Sequence, residues 1–95
     1  MKPKKLERSA YILKTIAHPT RLMVIALLHS HHELSVNEIC EKTESEQSLV
    51  SHHLSNMKLK GLLSSRRQGT SVLYALKEKK LVNILECIEK CKCHF

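Results

Sequence analysis

Residues 45–61, SEQSLVSHHLSNMKLKG, place the tightest constraint on this chain, because they fit one helix with an apolar edge and a bare polar face. At 3.6 residues per turn Val50, Leu54 and Met57 fall within about 60° of one another, while Ser48, Ser51, His52 and Ser55 project from the other side. No acid interrupts that face. Residues 47–77 contain no Asp or Glu, although Glu33, Glu38, Glu41, Glu44 and Glu46 crowd the stretch before it. A helix surface of hydroxyls, imidazoles and amides forms hydrogen bonds without repelling phosphate, which suits a polyanionic partner. Short side chains of this kind also let a helix approach base edges in a major groove.

The 95 residues predict one domain, 1–95, of a size at which a shared subunit interface commonly supplements the core. A formal net charge of +7, with seven His besides, favours nucleic acid or another acidic partner over a merely solvated basic face. Aromatic residues are scarce (Tyr11, Tyr74, Phe95) and Trp is absent. The expected core is therefore aliphatic, and a base-stacking platform for single strands is disfavoured. The basic N-terminus MKPKKLER is not followed by an unbroken apolar segment, and the longest apolar run, 22–28, is too short to span a bilayer. The expectation is a cytoplasmic chain with no membrane partner. Of the four Cys, Cys87, Cys91 and Cys93 cluster near the C-terminus while Cys40 stands apart, a pattern of metal or redox chemistry more than of a disulfide framework. No Ser/His/Asp set or carboxylate pair converges, so an enzyme is not expected.

Taken in order, Leu6, Ala10, Leu13, Ile16 and Ala17 recur at helical spacing and predict a first helix over 6–17, ending before His18-Pro19. Residues 20–30 contain LMVIALL, apolar on nearly every side, and with Pro19 at the first position they read as a buried central helix. Arg21, in its first turn, is placed to reach a phosphate or to form an intramolecular ion pair. His29, His31 and His32 read as solvated loop residues in preference to a metal cluster. Ser35 is placed to cap a short helix through about residue 42, with Glu38 at the capping-box position and Val36, Ile39 and Cys40 facing inward. A turn at 43–45 leads into the helix of 45–61, where Ser45 and Glu46 are placed to cap the free amides; helix, short turn and helix make a helix-turn-helix. Runs 62–67 and 71–76 flank Gln68-Gly69-Thr70 and predict a β-hairpin with Gly69 at the turn. Arg66 and Arg67 approach its tip, where guanidinium groups clamp backbone phosphate or enter a minor groove, the plainer reading being two solvated charges. The last helix, over 79–90, carries a broad stripe of Leu81, Val82, Ile84, Leu85 and Ile88 that calls for a partner, most economically a second copy packed on this helix and the first.

This order of elements resembles the ArsR/SmtB family of bacterial winged helix-turn-helix repressors, and the segments AHPTRLMVIALL, ELSVNEI, VSHHLSNMKLKGLL and RRQGTSVLYAL carry the resemblance. It implies a mostly α fold with a small β-hairpin wing, four helices then two strands then a fifth helix. It further implies a homodimer joined through the first and last helices, bound to an imperfect inverted repeat in a double-stranded DNA operator and released by an inducer, usually a metal or metalloid ion. By this resemblance Gln47, Ser48, Ser51, His52 and His53 occupy the base-reading helix, with Ser55 on its polar face, and Arg66, Arg67 and Gly69 form the wing.

The chain departs from the family at the inducer sites. Ser35 and Asn37 stand where arsenic and cadmium sensors carry Cys-x-Cys in the third helix. Glu78, Lys80, Cys91 and His94 stand at the usual zinc-site positions of the last helix, and Lys80 is no ligand while charged. Glu44 and Glu46 replace the Gly and Ser common before the recognition helix. Cys87, Cys91, Cys93 and His94 offer a substitute: Cys87 and Cys91 lie one turn apart, and Cys93 or His94 completes three or four soft ligands for Zn(II), As(III), Cd(II) or Cu(I). Two other readings stand beside this one. The thiols serve a redox- or sulfide-responsive repressor, although the usual partner Cys on the central helix is replaced by Ala26, or they are inert. A reading of another class, a metal-binding or protein-interaction module that does not bind DNA, is separated from a repressor by the salt dependence of duplex affinity.

Overall fold

Pro3 and Pro19 open the first two helices in the computed structural model of the chain, which describes residues 1–91. Proline suits a helix's first turn because its fixed φ is already helical and its missing N–H has no partner there in any case. Helix α1 spans Pro3–Ile16 and α2 spans Pro19–His31. The start of α1 precedes the apolar pattern, since a proline-set start leaves no apolar mark. Between them His18 caps α2, its Nδ1 accepting the Thr20 N–H at 3.1 Å. Val24, Ile25 and Leu28 are fully buried, so α2 is the spine of the core.

At the end of α2 the Glu33 N–H donates to the His31 carbonyl at 2.7 Å across His32, whose φ is 63° and ψ −46°. This is a γ-turn of the rarer, positive-φ kind, strained for a residue with a Cβ. It turns the chain into β1 (Leu34–Ser35) and α3 (Val36–Thr43). The capping box forms as expected: Ser35 Oγ accepts the Glu38 N–H at 3.2 Å and Glu38 Oε1 accepts the Ser35 N–H at 3.0 Å. Helix α4 spans Gln47–Leu59, and its start differs from the expectation. Glu46 is the N-cap without a side-chain cap bond, and Ser45, one residue too early, donates its hydroxyl to the Thr43 carbonyl at 3.2 Å. At the other end the Leu62 N–H reaches the Met57 carbonyl at 2.9 Å and the Gly61 N–H the Lys58 carbonyl at 3.0 Å, with Gly61 at φ 81°. That is a Schellman motif, whose left-handed position favours glycine.

Strands β2 (Leu63–Gln68) and β3 (Ser71–Leu76) form the expected hairpin, in register from Leu63↔Leu76 to Gln68↔Ser71, with Gly69 at φ 61° in the two-residue turn. β1 adds to the far side of β3 through Leu34↔Tyr74 and Ser35↔Leu73, giving an antiparallel sheet in the order β1-β3-β2. A two-residue strand is too short to show alternation, which is why the sequence pattern yields only the hairpin. Helix α5 spans Leu81–Lys90, starting at the first residue of its apolar stripe and two residues later than the expected 79. Five helices and a three-stranded sheet make a winged helix-turn-helix. Its core is aliphatic, running from Ile16 on α1 to Leu81 on α5 with Tyr74 among its members and Cys40 packed half-buried against it. No single helix among the described residues is long and apolar enough to cross a membrane.

Candidate nucleic-acid interface

Helical spacing divides α4 into two sides. Val50, His53, Leu54 and Met57 are buried, whereas Gln47, Ser48, His52 and Ser55 are exposed and Ser51 is half-buried. Ser48, His52, Ser55 and Leu59 recur at i, i+4, i+7 and i+11 and so form one outward strip. Sequence reasoning passed over Leu59, which is 85% exposed at the C-terminal end of that strip although its apolar character suggests core. His53 needs correction as a base-reading residue: it is only 5% exposed. One position beyond His52 means a rotation of about 100°, which carries its ring to the flank beside Met57 and away from any groove.

His53 is instead held by Arg21. Arg21 Nε donates to His53 Nδ1 at 2.9 Å, and Arg21 Nη1 donates to the Thr15 carbonyl at 2.8 Å and to Asn56 Oδ1 at 2.9 Å. Arg21 forms no ion pair among the described residues, and its Nε and Nη1 donors are engaged within the protein. One guanidinium ties the end of α1, the start of α2 and the middle of α4 together. The bond to Nδ1 assigns His53 as neutral, with its proton on Nε2. That Nε2 is buried and has no hydrogen-bond partner among the described residues. Burial pushes the His53 pKa below its ordinary value of 6.5, and Coulombic interaction with Arg21, His18 and His52 acts in the same direction. The His18 ring centroid lies 4.5 Å from that of His53 and the His52 centroid 5.9 Å, and the charged groups acting on His53 include no acid.

The wing's two arginines differ. Arg66 Nε and Nη2 donate to Glu33 Oε2 and Oε1, both at 2.7 Å, a two-pronged charge-assisted pair. The hydrogen bond from Arg66 holds the Glu33 carboxyl below its usual range, and Glu33 raises the guanidinium pKa in turn. Arg66, expected as a phosphate clamp, is therefore engaged within the molecule, fastening β2 to the turn before β1. Arg67 points to the other face of the strand, is exposed, and has no side-chain partner among the described residues. A recess of about 230 Å³, lined by Ser35, Asn37, Gln47, Thr70 and Ser71 among others, joins the wing turn to the first turns of α3 and α4. No charged side chain lines it. It brings Gln47 at the start of α4 alongside Thr70 and Ser71 of the wing turn.

At the end of α5 the structure brings together two of the four residues expected to bind metal. Cys87 and Cys91 are exposed and one turn apart, while Cys93 and His94 lie outside the described residues. Among the described residues no three His, Cys, Asp or Glu side chains are grouped to hold an ion.

The segment with this geometry is also the one that known proteins share. Residues 18–65, from the α2 cap into β2, match the profile of the bacterial regulatory protein arsR family. The transcriptional repressor PagR of Bacillus anthracis is 37% identical over 87% of this chain and 83% of its own length. Its crystal structure superposes with a TM-score of 0.80, covering 92% of this chain and 99% of that one at 36% identity. HlyU from Vibrio cholerae superposes with a TM-score of 0.85 at 28% identity, covering 98% of this chain and all (100%) of that one. The arsenical resistance operon repressor of Escherichia coli is 37% identical over 68% of this chain and 56% of its own length. These relatives are regulators of transcription and not enzymes. This chain, with a helix-turn-helix of that family inside a winged fold, belongs to the arsR family of bacterial regulatory proteins and is a DNA-binding transcriptional regulator.

Proposed function

We propose that the protein is a homodimeric repressor that binds an inverted-repeat operator and releases it when an inducer acts on α5. The acid-free outward strip of α4, whose helix starts at Gln47 beside the wing turn, carries this reading. Two such strips, one per subunit, enter successive major grooves about 34 Å apart. Ser48, Ser51, His52 and Ser55 read base edges there with Gln47 at the helix start, and Arg67 and the Gly69 turn fix register on phosphate. Arg66 joins them only by leaving Glu33.

Dimerisation through α1 and α5 accounts for the apolar surface these helices leave uncovered. Leu6 is 51% exposed, Tyr11 43%, Leu13 49% and Ile88 50%, a band that a second copy buries. In this reading the chain is one domain, works in the cytoplasm and has no membrane partner. The inducer is a soft ion, Zn(II), As(III), Cd(II) or Cu(I), held by Cys87 and Cys91 with Cys93 and His94. Relatives named for arsenical and cadmium resistance support ions of this chemistry. Exposed thiols one turn apart also suit an oxidant or sulfide signal, and the same variants test both.

Footprinting of the duplex upstream of the protein's own coding sequence tests the proposal. Two protected half-sites about one helical turn apart are expected; a single half-site, or no protection in low salt, contradicts it.

A further inference from the structure

We infer that the groove between α2, β3 and α5 is a binding site for a small organic anion, a monocarboxylate with an apolar body, and that its occupancy lowers DNA affinity. The inference rests on the DNA-binding reading above and concerns a site separate from the C-terminal thiols, which lie at the other end of α5.

The groove encloses about 500 Å³, within the range of small-molecule sites. Its floor is apolar, made by Leu28, Ala75, Leu76 and Val82. Its exposed mouth is polar: the Lys79 ammonium, the imidazoles of His29 and His32, and the Asn83 amide. Among the described residues no carboxylate lines it. The acids adjacent in sequence are turned elsewhere, Glu33 being engaged by Arg66 and Glu78 lining a different recess that faces α1. An apolar floor under a mouth of one fixed cation and two imidazoles is complementary to a carboxylate with a hydrocarbon tail. An amine meets the like charge of Lys79 there, and a neutral alcohol forgoes the ion pair.

A second observation falls at the same mouth. His32 is the central residue of the strained γ-turn, with φ 63° and a 2.7 Å bond between the Glu33 N–H and the His31 carbonyl. Strained backbone of this kind persists where surrounding structure holds it and is concentrated at ligand clamps and switches. Here the turn adjoins a cross-link to the wing: the next residue, Glu33, holds Arg66. A ligand that moves His32 thus acts on the Glu33–Arg66 pair and, through Val82 and Asn83, on the start of α5. It shifts DNA binding to the extent that it prefers one arrangement of that turn.

The test uses octanoate as the probe on the full chain, with 1-octanol and octylamine as comparisons. Methyl resonances of Leu28, Leu76 and Val82 report binding, and anisotropy of labelled operator duplex reports DNA affinity. Saturable shifts are expected with octanoate, at least tenfold weaker with 1-octanol and absent with octylamine. Lys79→Glu and His29→Glu alter exposed side chains and are expected to weaken octanoate binding at least tenfold. Octanoate is expected to lower operator affinity at least threefold in the parent protein and to have no effect in Lys79→Glu. Equal binding of octylamine, or undiminished octanoate binding by both variants, overturns the anion site. Binding without a change in operator affinity overturns its regulatory role. If octanoate binds as expected while the ligand-free chain ignores duplex DNA, the DNA-binding reading fails and the anion site stands.

Discussion

Arg21 Nε donates to His53 Nδ1 at 2.9 Å, a bond that joins the buried spine helix to the inner side of the helix whose outer side faces solvent. The same guanidinium reaches Asn56 and the carbonyl of Thr15, so α1, in the proposed dimer contact, and α4, in the proposed DNA contact, are fixed to one group. Any tilt of α1 against α4 must break one of these bonds.

This bond makes stability depend on pH. Neutral His53 accepts from Arg21; protonated His53 presents a second donor to it, with Arg21, His18 and His52 around it and no acid to compensate. Because folding lowers the His53 pKa, the unfolded chain takes up the proton first, at about its ordinary value of 6.5. The contribution is intact above that value and is lost as pH falls from it towards the depressed native value. Glu33 and Glu38, both lowered from 4.5, lose their contributions only below that range. Urea unfolding across this interval is expected to show stability declining as pH falls below 6.5 in the parent, with a flatter profile in His53→Gln. Identical profiles would remove His53 from this role.

Replacing Arg21 separates a structural role from a phosphate contact. Arg21→Ala leaves His53 Nδ1 and Asn56 Oδ1 without their donor and is expected to cost roughly 2–4 kcal/mol of stability. A phosphate-contacting arginine would instead leave stability unchanged and reduce the salt slope of DNA affinity. Paired chemical denaturation and salt titrations of the variant decide between them.

The two wing arginines are expected to behave differently. Arg67→Ala lowers the slope of log affinity against log salt by about 0.9 for each phosphate that the parent side chain neutralises. Arg66→Ala changes it less, because Glu33 already neutralises that side chain, and Glu33→Gln steepens the slope by releasing Arg66 for phosphate. A double-mutant cycle on Arg66 and Glu33 measures the coupling; additive effects would contradict competition between Glu33 and DNA.

Base reading is expected from His52 and Ser51 and not from His53. His52→Ala and Ser51→Ala each cost about 1–3 kcal/mol of discrimination against non-specific duplex, while His53→Gln acts on specific and non-specific binding alike through α4 placement. Equal losses on both duplexes for His52→Ala would remove it from base readout.

What was legible in the sequence is what depends on local pattern. The apolar edge of α4, the Ser35–Glu38 capping box and the Gly69 turn each follow from spacing of a few residues. The side-chain partners of Arg21, Arg66 and His53 do not, because those pairs lie 32 to 35 residues apart and form only once α2 has packed on α4 and the sheet has closed. Helical angle alone separates His53 from His52, yet it does not reveal that a buried imidazole has Arg21 as its donor. β1 escaped notice because two residues show no alternation, and its pairing with β3 is supplied by the hairpin. His32 gave no signal either, since its strain is a property of the turn's backbone.

The central claim, inducer-controlled binding of duplex DNA, is tested most directly by a salt-controlled titration. Labelled duplex from the protein's own upstream promoter is titrated with reduced protein, with and without Zn(II) or As(III), beside the Cys87/Cys91/Cys93→Ser variant. The account predicts affinity that falls steeply with salt, release by metal from the parent, and no metal response in the variant. Affinity that ignores salt, or an equal metal response in the variant, would contradict it.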